Sequence, residues 1–184
     1  MKTDYFCIFA GGGVRGTAYA GVIQVLEEFD INITGLAGSS IGAIFAALCA
    51  VGYKQSEIKK FPFEINYQLF RDLDIMFGKD FGLCKGHEVY NWIKEKIEKK
   101  FYGDNYNEKT NSPVRFKDLD KDLVIIATNI THTSFKEYSK VKTPDIEIAQ
   151  AVRASISIPG FFKPVWENDD CLVDGDVIAN FPIW

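Results

Sequence analysis

Short apolar runs broken by glycine near the start of the chain constrain its fold more than any other feature. Tyr5 to Ala10 is apolar and aromatic and stops at Gly11-Gly12-Gly13, so it reads as a buried strand. Thr17 to Phe29 then puts Val22, Val25, Leu26 and Phe29 on one helical face. Ile33 to Ala37 is a second short strand, broken by Gly38-Ser39-Ser40. Ile41 to Val51 is apolar nearly all round, which predicts a buried helix. This order of strands, loops and helices is that of a parallel sheet with helices on both faces. Ligands bind such sheets beyond the carboxyl ends of the strands, so both loops should share one rim.

Downstream the pattern is less regular. Ser56 to Asp74 reads as helical in part, interrupted at Pro62, and Gly78 to Gly86 as a glycine-rich loop. Val89, Trp92, Ile93 and Ile97 form a helical stripe, and Tyr102 to Pro113 is a polar loop. Leu123 to Thr128 and Phe135 to Tyr138 read as strands, and Ile146 to Ser155 as a helix. Cys171 to Val173 is a strand entering the turn Asp174-Gly175-Asp176.

With 184 residues, 47% of them hydrophobic, one domain over 1–184 can bury its core without metals or disulfides. A net charge of −4 excludes the basic footprint of a nucleic-acid binder. Cys7, Cys49, Cys84 and Cys171 form no C-x-x-C pair and read as reduced thiols of a cytoplasmic chain. Two histidines, His87 and His132, are too few for a His-rich zinc site. The start, "MKTDYFCIFA", is not a signal peptide, and no run nears the roughly 18 apolar residues of a transmembrane segment. Any membrane contact is therefore expected to be peripheral.

Two chemistries use a loop like Gly11-x-Gly13-x-x-Gly16. It fits the dinucleotide fingerprint and lies between a strand and a helix. That use also needs an acid at the end of the next strand. Here that strand ends in Ala37-Gly38-Ser39-Ser40, and the nearest acid, Asp30, precedes it. No Gly-Lys-Ser/Thr follows, so it is not a Walker loop. The other use is an oxyanion hole. Gly11, Gly12, Gly13 and Gly16 would let backbone N–H groups converge on one oxygen, with Arg15 as an added cation. The plainer alternatives are a tight turn and a solvated arginine.

"GSSIG" favours the second use. Gly38-x-Ser40-x-Gly42 lies between a strand and a buried helix, where a nucleophile elbow must lie. Alone, the pattern also suits a serine helix cap. A nucleophile needs a base. His132 follows a strand and is better placed than His87, though a surface histidine is the plainer reading of both. Asp174 also ends an apolar strand and can act directly, although Asp-Gly is a common turn pair.

"GGGVRG", "GSSIG" and "DGD", in that order, resemble the motifs of the patatin-like phospholipases. Arg153 to Val165, "RASISIPGFFKPV", and "NFP" at Asn180 to Pro182 are also similar to the family's pattern, so the resemblance covers almost the whole chain. It implies a three-layer α/β/α sandwich with a mostly parallel central sheet. It implies Ser40 as nucleophile and Asp174 as its only catalytic partner, without histidine. Gly11, Gly12, Gly13 and Gly16 with Arg15 would form the oxyanion hole, Gly38 and Gly42 the elbow, and Gly175 and Asp176 the acid motif. No metal or cofactor is implied. The substrates would be acyl esters of phospholipids, lysophospholipids or neutral lipids at a lipid or membrane surface. None of these motifs specifies an activating protein partner.

Two features depart from the family pattern. The family has Asp-Gly-Gly or Asp-Gly-Ala where this chain has Asp174-Gly175-Asp176. A second inward carboxylate would raise one pKa and weaken the base, whereas a turn would send it to solvent. The chain also stops at Trp184, where family domains continue, which implies a compact member or a fragment of a longer protein. Two rivals follow: a catalytically weak or inactive lipid-binding member of the fold, and a dinucleotide-binding module. Phe61, Phe63, Phe70, Met76, Phe77 and Phe81 suggest a lid or acyl-chain wall, or else plain core aromatics. Lys94, Lys96, Lys99 and Lys100 would meet a headgroup or form a solvated helix face.

Overall fold

The structure, a computed structural model, describes residues 3–61, 72–73 and 81–183. The first apolar run forms β1 (Asp4–Phe9). A tight 3-10 turn (Gly13–Ala18) leads into α1 (Tyr19–Glu28), then β2 (Asn32–Ser39), α2 (Ile41–Ala50) and the single turn α3 (Gln55–Ile58). Then come β3 (Gly82–Cys84), α4 (His87–Tyr102), β4 (Asp122–Asn129), β5 (Ser134–Ser139) and α5 (Ile148–Ser155). β6 (Gly160–Phe162), β7 (Val165–Glu167) and β8 (Asp170–Val173) follow, and a 3-10 turn (Gly175–Val177) comes after β8.

The main sheet runs β1-β2-β4-β8-β7, with β5 on β4, and β3 pairs with β6 apart from it. β1, β2 and β4 are parallel, with Cys7 opposite Leu36 and Leu36 opposite Leu123. β5, β8 and β7 add antiparallel pairs. Thus the α/β class with a central sheet and packed helices stands.

The registers also explain how distant residues meet. β2 pairs with β4 as far as Ser39 opposite Ile126. β8 pairs with β4 at Thr128 opposite Val173. β5 pairs with β4 from Val124 to Asn129, so it holds the other edge, and β2 and β8 share one edge. β2 leaves that edge upward and β8 arrives antiparallel to it. Residues 40 and 174 therefore converge beside Ala127.

α2 is buried along nearly its whole length, as its unbroken apolar sequence requires. Ala43, Ala46 and Ala47 let it lie close to the sheet. The stripe Val89, Ile93 and Ile97 turns α4 inward. In α1, however, the expected face is not the buried one. Val22, Val25 and Phe29 are 44%, 51% and 73% exposed, while Ile23 is buried. Tyr19 sets that phase. Its ring stacks edge-on against Phe9 and Phe45, and its hydroxyl donates to the Ala10 carbonyl at 2.6 Å. Positions one and four residues on from Tyr19 then face the core.

Of the expected aromatic cluster, Phe61 is buried and Phe81 exposed, while Phe63, Phe70, Met76 and Phe77 lie outside the described residues. The expected helix over Ser56 to Asp74 is described only through α3, Phe61 and residues 72–73. Within Gly78 to Gly86 the described part forms β3. All four cysteines are free thiols. No helix among the described residues is long and apolar enough to cross a membrane.

Candidate active site

Ser40 caps α2 with φ 52° and ψ −128°, a left-handed conformation that costs a non-glycine residue energy. The packing around it fixes this geometry. A Cβ on Gly42 would run into the Phe9 carbonyl, and one on Gly38 into the Gly42 carbonyl. Both glycines are therefore needed to bring the first turn of α2 against β1 and β2. The Ser40 N–H donates to Ser155 Oγ at 2.9 Å, and that hydroxyl donates to the Ile126 carbonyl at 2.5 Å. The Ser40 carbonyl accepts from Ala43 N at 3.0 Å. With its backbone held on both sides, Ser40 points Oγ at Asp174, donating to Oδ2 at 2.7 Å.

Asp174 is 3% exposed. Its N–H donates to the Ser157 carbonyl at 2.9 Å, and its Oδ1 accepts from Asp176 N at 2.9 Å. Burial pushes its pKa up to about 6 against those hydrogen bonds, and the Asp176 charge adds to the rise. The two histidines lie elsewhere. His132 Nε2 pairs with Asp170 at 3.1 Å, and His87 lines a separate hollow. The group bonded to Ser40 is Asp174.

Asp176 turns inward. Its Oδ1 accepts from Ser39 Oγ at 2.9 Å, and the nearby Asn180 side chain favours the charged carboxylate. Burial raises its pKa as well. A Cβ on Gly11 would fall within this carboxylate, and one on Gly175 would collide with the Ile126 carbonyl and Ser39 Oγ.

In the first glycine loop, Gly11 N donates to the Asn180 carbonyl at 3.4 Å and Arg15 N to the Gly12 carbonyl at 3.2 Å. Gly13 adopts φ 56°, which only glycine takes readily. Gly16 packs on Ile41, where a Cβ would not fit. The Gly12 and Gly13 N–H groups have no acceptor among the described residues. The Arg15 side chain is exposed and makes no ion pair among them.

An apolar cavity of about 310 Å³ opens beside Ser40 and Gly13. It follows Ile44 and Leu48 along α2 towards Phe61 and Trp92. Larger hollows of about 530 and 410 Å³ do not reach Ser40.

The sequence motifs contain Ser39, Ser155, Asn180 and Arg153 but assign none of them an individual role. Arg153 is 7% exposed and donates to the carbonyls of Gly86, Lys85 and Lys163 and to Ser157 Oγ. It thereby ties the β3–β6 pair to the segment that carries Ser157. Burial holds its pKa down at about 10. One hint was available: a charged residue inside an otherwise small and apolar helix needs buried partners.

The geometry defines an α/β protein with a strained serine at the head of a buried helix, hydrogen-bonded to a buried aspartate. The patatin-like phospholipase family model matches residues 7–184, and the chain belongs to that family. It is 34% identical to the uncharacterized protein YqhO of Bacillus subtilis, over 96% of this chain and 65% of that one. It is 27% identical to the probable lipid hydrolase 463L of Invertebrate iridescent virus 6, over 100% of this chain and 64% of that one. The chain thus spans just under two thirds of the length of these relatives. VipD from Legionella pneumophila shares the fold, with a TM-score of 0.79 at 21% identity over 96% of this chain and 46% of that one.

Proposed function

We propose that the chain is a serine-dependent lipid acyl hydrolase of the phospholipase A or lysophospholipase type. The observation that carries this reading is the 2.7 Å hydrogen bond from the strained Ser40 hydroxyl to Asp174. Asp174 takes the Ser40 proton as Oγ attacks the ester carbonyl carbon. The tetrahedral oxyanion is held by N–H groups of the Gly11–Gly16 loop and by the N-terminal dipole of α2. Arg15 at the rim adds positive charge for an anionic headgroup. The intermediate collapses, and Asp174 returns the proton to the leaving alcohol. Water, deprotonated by Asp174, then attacks the acyl-enzyme and releases the fatty acid and Ser40. No metal or cofactor takes part in these steps.

An aspartate is normally too weak a base for this task at neutral pH. With its pKa up at about 6, Asp174 is a stronger base yet remains mostly ionised at pH 7. The apolar cavity supports a lipid acyl chain, and exposed Val14, Ile158 and Phe161 support work at a lipid surface as a peripheral protein. β2 ends at Ser39 with no acid for a ribose, which counts against nucleotide binding.

The test is hydrolysis of a p-nitrophenyl ester at neutral pH by wild type and Ser40→Ala. Loss of about a thousandfold or more in kcat is expected. A folded Ser40→Ala as active as wild type, or a folded wild type with no turnover, would overturn the reading.

A further inference from the structure

Asp176 stands where the family pattern has glycine or alanine, and its surroundings are not those of a solvated turn. Three segments meet on its carboxylate. From β2, Ser39 donates to Oδ1 at 2.9 Å, and Ser39 is fully buried immediately before Ser40. From the glycine loop, Gly11 lies so close that a side chain there would displace the carboxylate. From the chain after the 3-10 turn, the Asn180 carbonyl accepts from Gly11 N at 3.4 Å, and the Asn180 side chain favours the charged form of Asp176. The backbone N–H of Asp176 meanwhile holds Oδ1 of Asp174. One residue thus touches the loop, the elbow and the acid.

We propose that Asp176 is a positioning residue: its carboxylate, lodged against Gly11 and hydrogen-bonded by Ser39, holds the Gly11–Gly16 loop in register with Ser40. This rests on the hydrolase reading for its catalytic consequence, though not for its geometry. Without the carboxylate, the buried Ser39 hydroxyl loses its acceptor and a void opens beside Gly11, leaving the loop free to shift. A shifted loop weakens only contacts made to the oxyanion, so the loss falls on kcat rather than KM. The charge has a separate effect. The titratable groups that sense it are Asp174, on the same segment, and Tyr19, whose hydroxyl is bonded to Ala10 at the foot of the loop. Removing it should ease ionisation of Asp174.

Two variants separate position from charge. Asp176→Ala should lower kcat for a p-nitrophenyl ester about tenfold or more with KM little changed. Asp176→Asn keeps an acceptor for Ser39, so it should keep kcat within about threefold of wild type. Its acid limb of kcat/KM should nevertheless move to lower pH. Hydrogen exchange gives a readout independent of turnover: amides of the Gly11–Gly16 loop should exchange faster in Asp176→Ala than in wild type. If Asp176→Ala does not fold, Ser39→Ala removes the same bond from the other side and should speed the same amides. Wild-type kcat and unchanged loop exchange in folded Asp176→Ala would overturn the proposal, as would a rise in kcat, which would make Asp176 a brake. If wild type shows no Ser40-dependent turnover, the hydrolase reading fails. Loop exchange then still decides: faster exchange upholds the strut, and unchanged exchange removes it.

Discussion

Asp174 combines burial, a carboxylate neighbour and a serine hydroxyl at 2.7 Å, and the balance leaves its pKa at about 6. The proposed mechanism needs it ionised. We therefore expect kcat/KM to fall about tenfold per pH unit below pH 6 and to level off above it, as read from ester hydrolysis between pH 4.5 and 8. The same shift has a stability sign. In the unfolded chain an aspartate titrates near 3.9. The folded state thus prefers the protonated acid, and that stabilisation is full below about pH 4 and lost as pH rises through about 6. Asp174→Asn is neutral at every pH. It should abolish turnover while unfolding in urea shows about 1–3 kcal/mol more stability than wild type at pH 8, with the gain shrinking toward pH 4. A variant no more stable than wild type at pH 8 would mean that burial of the charge costs less than the geometry implies.

Among elements, the β2–α2 elbow is the tightest joint. Gly42 sits against the Phe9 carbonyl on β1, which is backbone and cannot rotate away. Gly42→Ala should therefore cost about 3 kcal/mol or more in urea unfolding, while Gly21→Ala on α1, with open space around it, should be near neutral or stabilising. The joint was legible because its signals are local: an apolar run, a glycine pattern, and a helix without a polar face. β4, β5 and α5 were legible for the same reason. β3, β6 and β7 were not. Each is three residues long, too short for any period to show, and each exists through pairing alone. The inward face of α1 was misread because two stripes compete there, and the anchoring of Tyr19 to Phe9, Phe45 and Ala10 decides between them. That choice is made by tertiary contacts, which helical spacing does not encode.

Across the whole molecule, the site is assembled from segments 134 residues apart, because β2 and β8 occupy successive stretches of one edge of β4. Motif order was enough to nominate Ser40 and Asp174, but not the residues that hold them. Ser39, Ser155 and Asn180 are ordinary polar residues in sequence and gain a role only when three segments meet. The cavity is a similar product of distant elements. It starts at Ser40 and follows α2 to Leu48, a rise of about 12 Å. At its far end stand Phe61, from the chain after α3, and Trp92, from α4, their rings edge-on at 5.9 Å. On the proposed hydrolase reading, such a stop would limit the acyl chain to medium length. Trp92→Ala should open the end, and each further buried methylene then gains up to about 0.8 kcal/mol, or roughly fourfold. Across p-nitrophenyl esters from acetate to palmitate, the kcat/KM optimum should move to longer chains, with acetate little affected because it never reaches Trp92. An unchanged optimum would place the limit on chain length elsewhere than at the Phe61–Trp92 pair. A uniform loss that includes acetate would instead mean that Trp92 supports the packing of α2, and with it the elbow.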